Sequence, residues 1–357
     1  MCRIMSKYLI TIADRVIGLG KPVFIIAEAG VNHNGKLLLA RKLIDAAAKA
    51  GADAVKFQTF NPDTLVTKSA PKAAYQTRNE KTESETQYAM LKRLMLPREA
   101  HAKLKRYAKK KGLVFLSTPF SFGDALFLRN LGVPALKIAS SDANNLPFLG
   151  QIAKWKLPII LSTGMADMRE VREAVKAVKT AGNAKLILLH CTTNYPTPFS
   201  EANLRAIETL RNEFNLPVGF SDHTRGSEAA IAAVALRAAV IEKHFTLDRR
   251  LQGPDHKASL LPAELRDFVK NIRNIETALG TGEKIPSTSE KKNAKVSRKS
   301  IVAARDIKKG ERLTKDNLTI KRPGTGLLPR DLSKIIGSRA MHDIVADTLI
   351  TKYDFAT

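Results

Sequence analysis

The sequence predicts an α/β fold: a (β/α)8 TIM barrel followed by a small β-rich C-terminal domain. Three observations carry this: eight short apolar runs, helix-like segments between them, and one polar break towards the C-terminal end. The runs are Val23–Ala27, Ala54–Phe57, Leu113–Leu116, Ala135–Ile138, Pro158–Leu161, Leu186–His190, Val218–Phe220 and Ala239–Ile241. Most are continuous rather than alternating and rich in Val, Ile, Leu or Phe, as parallel strands buried on both faces require. Leu37–Ala50 has apolar residues at helical spacing and ends on Gly51, and Met168–Ala181 ends on Gly182 in the same way. Leu204–Phe214, Ser227–Ala238 and Pro262–Leu279 read similarly. Strand and helix alternating in this order predict a barrel. An open doubly wound sheet is the alternative, but no GxGxxG follows the first strand. The polar connection from Asn61 to Lys111, with helix-like pieces at Glu85–Leu94 and Glu99–Lys111, is long enough to cover an active site. Around Thr281–Arg298, Gly, Pro, Ser, Thr and Lys dominate. The barrel is therefore expected over residues 1–284, a linker over 285–298 and a small domain over 299–357, with strands at Ser300–Ala304 and Leu318–Ile320.

Bulk composition bounds the function. The 357 residues are 44% hydrophobic and 26% charged, as in ordinary globular proteins. No apolar run reaches the roughly 18 residues of a membrane span. Met1–Gly20 lacks an apolar h-region, so a cytoplasmic location is expected. Two cysteines, Cys2 and Cys191, give neither a disulfide framework nor a zinc site of their own. Cys191 ends an apolar run and reads as a packed strand-end thiol with no activating partner beside it. The net charge of +25 suits a solvated basic surface, anionic substrates or nucleic acid. With no zinc-finger spacing and no aromatic-interleaved basic motif, a specific nucleic-acid partner is not expected.

Polar residues just past each barrel strand form the active site of this fold. Those positions here carry Glu28, Lys56-Phe57-Gln58, Ser117-Thr118, Lys137 with Ser140 to Asp142, Ser162-Thr163-Gly164, His190 to Tyr195, Ser221 to Thr224, Glu242-Lys243-His244, and then Asp255. One histidine or one Ser-Thr-Gly at a strand end is usually structural; recurrence at all eight ends is the signal. His223 and His244 end adjacent strands, within metal-bridging reach, and two imidazoles with water and substrate oxygens suit a divalent ion such as Mn²⁺. Lys56 and Lys137 place two positive charges where, with hydroxyl donors, they could hold a phosphate and a carboxylate. Glu28 and Asp255 are candidates for proton handling or for orienting water. Strand alternation allows only one of Glu242 and Lys243 to point inward.

These same blocks resemble the N-acetylneuraminate (sialic acid) synthases: AEAGVNHNG, KFQTF, FLSTPF, KIASSD, LSTGM, HCTTNYPTP, GFSDHT, EKHFT and GPDH, in that order. The tail RKSIVAARDIKKGERLT…IKRPGTGL resembles the family's antifreeze-like SAF domain, and the likeness runs from about Pro22 to Phe355. The resemblance implies condensation of phosphoenolpyruvate with an open-chain N-acylated amino sugar, N-acetylmannosamine or a relative, with loss of phosphate. It implies His223 and His244 as ligands of Mn²⁺, or of Mg²⁺ or Co²⁺, with His244, Glu28 and Asp255 at the reacting centre. It places Thr118, Lys137, Ser140, Ser162 and Ser221 on the phosphate, Lys56 near the carboxylate, and Gln58 and Tyr195 at the sugar. It also implies a domain-swapped homodimer in which Arg322 reaches the partner's sugar site. Two positions depart from the pattern. Many members carry Gly-Glu where this chain has Ser141-Asp142, so the carboxylate expected at the sugar hydroxyls is one methylene shorter. That opens the choice to a legionaminic-type or pseudaminic-type precursor. Thr193 stands where the family has Asn, so no phosphate contact is assigned there. A different phosphoenolpyruvate-dependent 3-deoxy sugar acid synthase would need a second phosphate site, and a non-catalytic polyanion-binding barrel has only the net charge in its favour. The Lys-rich tail lacks the flat Thr-rich face of an ice-binding surface.

Overall fold

The computed structural model describes residues 8–80 and 85–356. Cys2 lies outside the described residues. Chain contacts divide the molecule into two compact units, Met1–Gly280 and Thr281–Thr357.

The first unit opens with a hairpin, β1 (Ile10–Ile12) and β2 (Arg15–Ile17). Eight parallel strands follow: β3 (Phe24–Gly30), β4 (Ala54–Thr59), β5 (Val114–Pro119), β6 (Leu136–Ile138), β7 (Ile159–Ser162), β8 (Leu186–Cys191), β9 (Val218–Asp222) and β10 (Val240–His244). Each corresponds to an apolar run of the sequence. The order β5-β4-β3-β10-β9-β8-β7-β6 pairs first and last strands through Val240↔Phe24 to His244↔Glu28, as a barrel demands. β5 and β6 lie side by side and close the ring without a regular ladder.

Alternation along each strand sorts the side chains. Ile25, Val55, Phe115, Leu161, Leu188 and Ile241 face the helices. Ile26, Leu116, Ile160, Leu189 and Val240 fill the interior, and Ile10, Ile12 and Ile17 of the hairpin join that cluster beside Phe24 at the N-terminal end of the strands. The barrel is thus stoppered at one end, and its polar end is the other.

Leu37–Ala50 is a helix whose C-cap Gly51 has φ 80°, a left-handed conformation that Gly tolerates without the Cβ clash. Pro262–Leu279 is a helix over the expected span, and Met168–Thr180, Ala206–Phe214 and Glu228–Ala235 fall within the others. Phe122–Leu131 and Leu146–Ala153, unmarked by periodicity, are helices capped by Ser121 and Asn145. The long connection after β4 holds helices Pro62–Leu65, Ala74–Glu80, Gln87–Leu94 and Arg98–Lys110.

In the second unit, the stretch expected to be a linker contains a helix, Thr288–Ser297. Its start is a capping box in which Ser287 and Glu290 satisfy each other's backbone N–H groups. Its Lys-rich composition and lack of buried residues conceal the helical period. Paired β11 (Ser300–Ala303) and β12 (Leu318–Lys321), and β13 (Arg339–Ala340) and β14 (Phe355–Ala356), surround a core of Ile301, Ile307, Leu313, Ile344 and Ile350. Among the described residues, no helix is long and apolar enough to cross a membrane.

Candidate active site

The interior alternation that places Ile26 and Leu116 inside the barrel continues to the polar end, two residues on, with Glu28 and Thr118. A cavity of about 470 Å³ opens there, lined by Glu28, Lys56, Gln58, Thr118, Lys137, Ser140, Ser162, Tyr195, Ser221, His223, His244 and Asp255. Twelve of the fourteen residues singled out in the sequence therefore share one wall. Asp142 does not line it; its neighbour Ser141 does, and Asp142 Oδ1 accepts a hydrogen bond from Asn145 at 3.1 Å. Successive side chains of the 3-10 turn Ser140–Asp142 point in different directions, which separates the two serines from the carboxylate. Arg322 lies in the second unit, on an exposed segment after β12.

At the centre, two buried ammonium groups share one carboxylate. Glu242 lies 3.5 Å from Lys56 Nζ and 3.6 Å from Lys137 Nζ, and accepts from Ser221 Oγ at 2.8 Å. Lys56 also pairs with Glu28 at 3.0 Å and donates to Thr118 Oγ1 at 3.0 Å, and Lys137 donates to Ser162 Oγ at 2.7 Å. Burial disfavours the charge on Glu242, but Lys137 and Lys56 outweigh it and hold the carboxyl down at about 2. Burial pushes Glu28 up, to about 8, against the opposing pull of Lys56. Lys137 is drawn down by burial; in Lys56, Glu242 and Glu28 reverse that effect and raise it. Two buried ammonium groups with serine and threonine hydroxyls beside them offer the charge-assisted donors that a small polyanion needs.

The imidazoles of His223 and His244 stand beside this cluster, ring centroids 5.4 Å apart. His223 Nδ1 lies 2.7 Å from the Thr192 carbonyl, which fixes the ring and leaves Nε2 for a ligand role. His244 Nδ1 is buried without a hydrogen-bond partner, 3.9 Å from Asp255 Oδ2. Burial, His223 and Lys56 all keep His244 neutral, as a metal ligand must be. His223 is raised instead: burial opposes the proton, while Cys191 and the Thr192 carbonyl favour it, so a metal there would compete with protons. Among the described residues, no three of His, Cys, Asp and Glu cluster to hold a metal alone. The orphaned imidazole nitrogen and the neutral state of His244 nevertheless fit a divalent ion that takes its remaining ligands from water and substrate. Burial raises Asp255 to about 6, against the pull of His223.

Several groups escaped the sequence analysis. Glu242 was left unassigned, although His244 facing inward requires Glu242 to do so as well. Lys243 then faces outward and is consumed by Asp222 at 2.8 Å. Cys191 lines the cavity rather than merely ending a strand; its sulfur is 3.9 Å from His223 Nδ1, a partner supplied by the neighbouring strand. The inserted helices add Tyr75, which stacks on Tyr195 at 4.8 Å, and an apolar wall that includes Leu65, Val66, Met90 and Leu94.

Known proteins resemble this chain in sequence and in fold. Residues 43–284 match the NeuB family and residues 298–356 the SAF domain. An N,N'-diacetyllegionaminic acid synthase of Legionella pneumophila is 50% identical over 93% of this chain and 94% of its own. A protein of the same description from Campylobacter jejuni is 48% identical over 92% and 99%. The crystal structure of an N-acetylneuraminic acid synthetase from Leptospira borgpetersenii superposes with a TM-score of 0.70 at 38% identity, covering 80% of this chain and 94% of that one. By sequence and by fold, the chain belongs to the NeuB family and ends in a SAF domain.

Proposed function

We propose that this chain condenses phosphoenolpyruvate with an N-acetylated amino sugar, releasing phosphate and a nonulosonic acid. The observation that carries the proposal is the pair of buried lysines, Lys56 and Lys137, sharing one carboxylate in the same cavity as two imidazoles. Phosphoenolpyruvate carries a phosphate and a carboxylate. Lys137, Ser140, Ser162, Ser221 and Thr118, which line one cavity, would hold the first, and Lys56 the second. C3 of phosphoenolpyruvate attacks the aldehyde of the open-chain sugar, water adds at C2, and the C2–oxygen bond to phosphate breaks. Bound on His223 and His244, Mn²⁺ or a similar ion (Mg²⁺ or Co²⁺) would polarise the aldehyde oxygen as a Lewis acid. Glu28, raised by burial and paired with Lys56, can exchange a proton with an oxygen that gains charge; Asp255, raised to about 6, can accept one from water. Gln58 and Tyr195 line the part of the cavity left for the sugar.

The sugar we favour is a 2,4-diacetamido-2,4,6-trideoxy hexose of the legionaminic type. Identity near 50% to two N,N'-diacetyllegionaminic acid synthases supports it. So does the apolar wall of Leu65, Val66 and Met90, which suits acetamido and 6-deoxy methyl groups better than free hydroxyls. The resemblance further supports a domain-swapped homodimer with Arg322 at the partner's sugar, and a cytoplasmic location. The test is a sugar panel. With Mn²⁺ and phosphoenolpyruvate, the diacetamido sugar should give phosphate and a product of nonulosonic mass faster than N-acetylmannosamine does. Faster turnover of N-acetylmannosamine overturns the sugar, and silence with every sugar overturns the reaction.

A further inference from the structure

The loop carrying Asp255 runs between β10 and the helix Pro262–Leu279. Beyond Asp255 it is held at several points. Ser259 Oγ donates to the Asp255 carbonyl at 2.6 Å and accepts from Asn32 at 2.9 Å. His256 lies 2.6 Å from Thr246 Oγ1 through one ring nitrogen and 3.1 Å from Asn34 Oδ1 through the other. Before Asp255 the anchoring is thin. Among the described residues, the only hydrogen bond that reaches residues 252–254 from outside the loop comes from Asn79, whose Nδ2 donates to the Pro254 carbonyl at 2.7 Å. That carbonyl and the Asp255 N–H belong to one planar peptide, so gripping the oxygen fixes the plane from which the Asp255 side chain departs. Asn79 is 9% exposed, and a buried amide is costly unless its hydrogen bonds are made.

Asn79 belongs to the inserted helix Ala74–Glu80, far from Asp255 in sequence. The same helix stacks Tyr75 on Tyr195, donates from Arg78 to the Tyr195 carbonyl at 3.3 Å, and receives Lys257 Nζ on the Arg78 carbonyl at 3.3 Å. One short helix thus grips both the loop that carries Tyr195 and the loop that carries Asp255.

We propose that Asn79 is a positioning residue: by holding the Pro254 carbonyl it sets Asp255 against His244 and the cavity, so that the inserted helix completes the site. This rests on the functional proposal above, in which Asp255 meets the reacting centre. The test is phosphate release from phosphoenolpyruvate and the best sugar, read in steady state and in single turnover. Asn79→Ala should lower kcat roughly tenfold to a hundredfold, the usual effect of losing an outer contact that orients a site group. KM for phosphoenolpyruvate should stay within about twofold, since Lys56 and Lys137 are untouched. Asn79→Gln, which keeps the donor, should recover part of the loss; it also serves if the alanine variant fails to fold. Asn79→Ala combined with Asp255→Asn should be no slower than Asp255→Asn alone. Multiplying losses, or a raised KM with unchanged kcat, would overturn the positioning role. Full turnover by Asp255→Asn on its own would instead overturn the assignment of Asp255 itself.

Discussion

Residue by residue, the inward or outward side of each strand decides what a polar group can do. Glu242 and Lys243 are neighbours with opposite fates: one joins the cavity, the other pairs with Asp222 behind the barrel wall. Asp222 also accepts from the Thr224 N–H and hydroxyl, each at 2.8 Å. Asp222→Ala would strand a buried ammonium, and urea unfolding should register a loss of about 3–5 kcal/mol. His223→Ala is the converse: little change in stability, but turnover down roughly a thousandfold or more in the phosphate assay. Burial also keeps several histidines neutral. His33 is lowered to about 3 and His256 to about 4, with burial the main cause of each. A histidine whose folded pKa is depressed contributes stability that is full above about 6.5 and lost as pH falls towards the folded value. The unfolding free energy measured in urea should therefore decline as pH drops below 6.5, by up to about 1.4 kcal/mol per pH unit for His33. His33→Gln should show a shallower slope; an unchanged slope would remove His33 from the account. Strand-end residues were legible in sequence because chemistry recurs at a fixed place in the fold. Asp142 is not among the residues that line the cavity, because a 3-10 turn, not a strand, sets its direction.

For elements, eight buried strands and the better-capped helices were legible as apolar runs and as Gly51 or Gly182 at a helix end. The N-terminal hairpin was not. Its three isoleucines are too few and too interrupted to show a period, yet they stopper the barrel floor. Ile12 is fully buried there, and Ile12→Ala should cost about 2–5 kcal/mol by thermal or urea unfolding; a loss below about 1 kcal/mol would show the plug to be dispensable. Part of the positive charge also finds its use between elements. Lys105 donates to the Leu131 carbonyl at 2.6 Å, Lys156 to Ala181 at 2.6 Å, and Arg211 to Leu236 at 2.8 Å. Each basic side chain satisfies a carbonyl at or just past the C-terminus of a following helix, where a cation is also favoured by the helix dipole. Composition alone could not reveal this, because the pairs lie about 25 residues apart.

Across the whole molecule, the charge is uneven. Arg98 to Lys111 holds seven basic residues and one acidic, leaving six of the 25 net positive charges in one helix and its cap. Two compact units divide between Gly280 and Thr281, and the stretch expected as a linker carries a helix, since Ser and Lys do not announce a helix that buries nothing. The proposed swapped dimer has its own test. Arg322→Ala and His223→Ala chains, each inactive alone, should regain activity when co-refolded, with roughly a quarter of sites whole under random pairing. No recovery would mean that each barrel relies on its own tail. The central claim is that this cavity joins phosphoenolpyruvate to a sugar with cleavage of the carbon–oxygen bond. The most direct measurement uses phosphoenolpyruvate labelled with ¹⁸O at the bridging oxygen, incubated with the protein, Mn²⁺ and the diacetamido sugar. The account predicts phosphate release that depends on the sugar, with the label in the phosphate. Label left in the organic product, or phosphate released equally well without sugar, would contradict it.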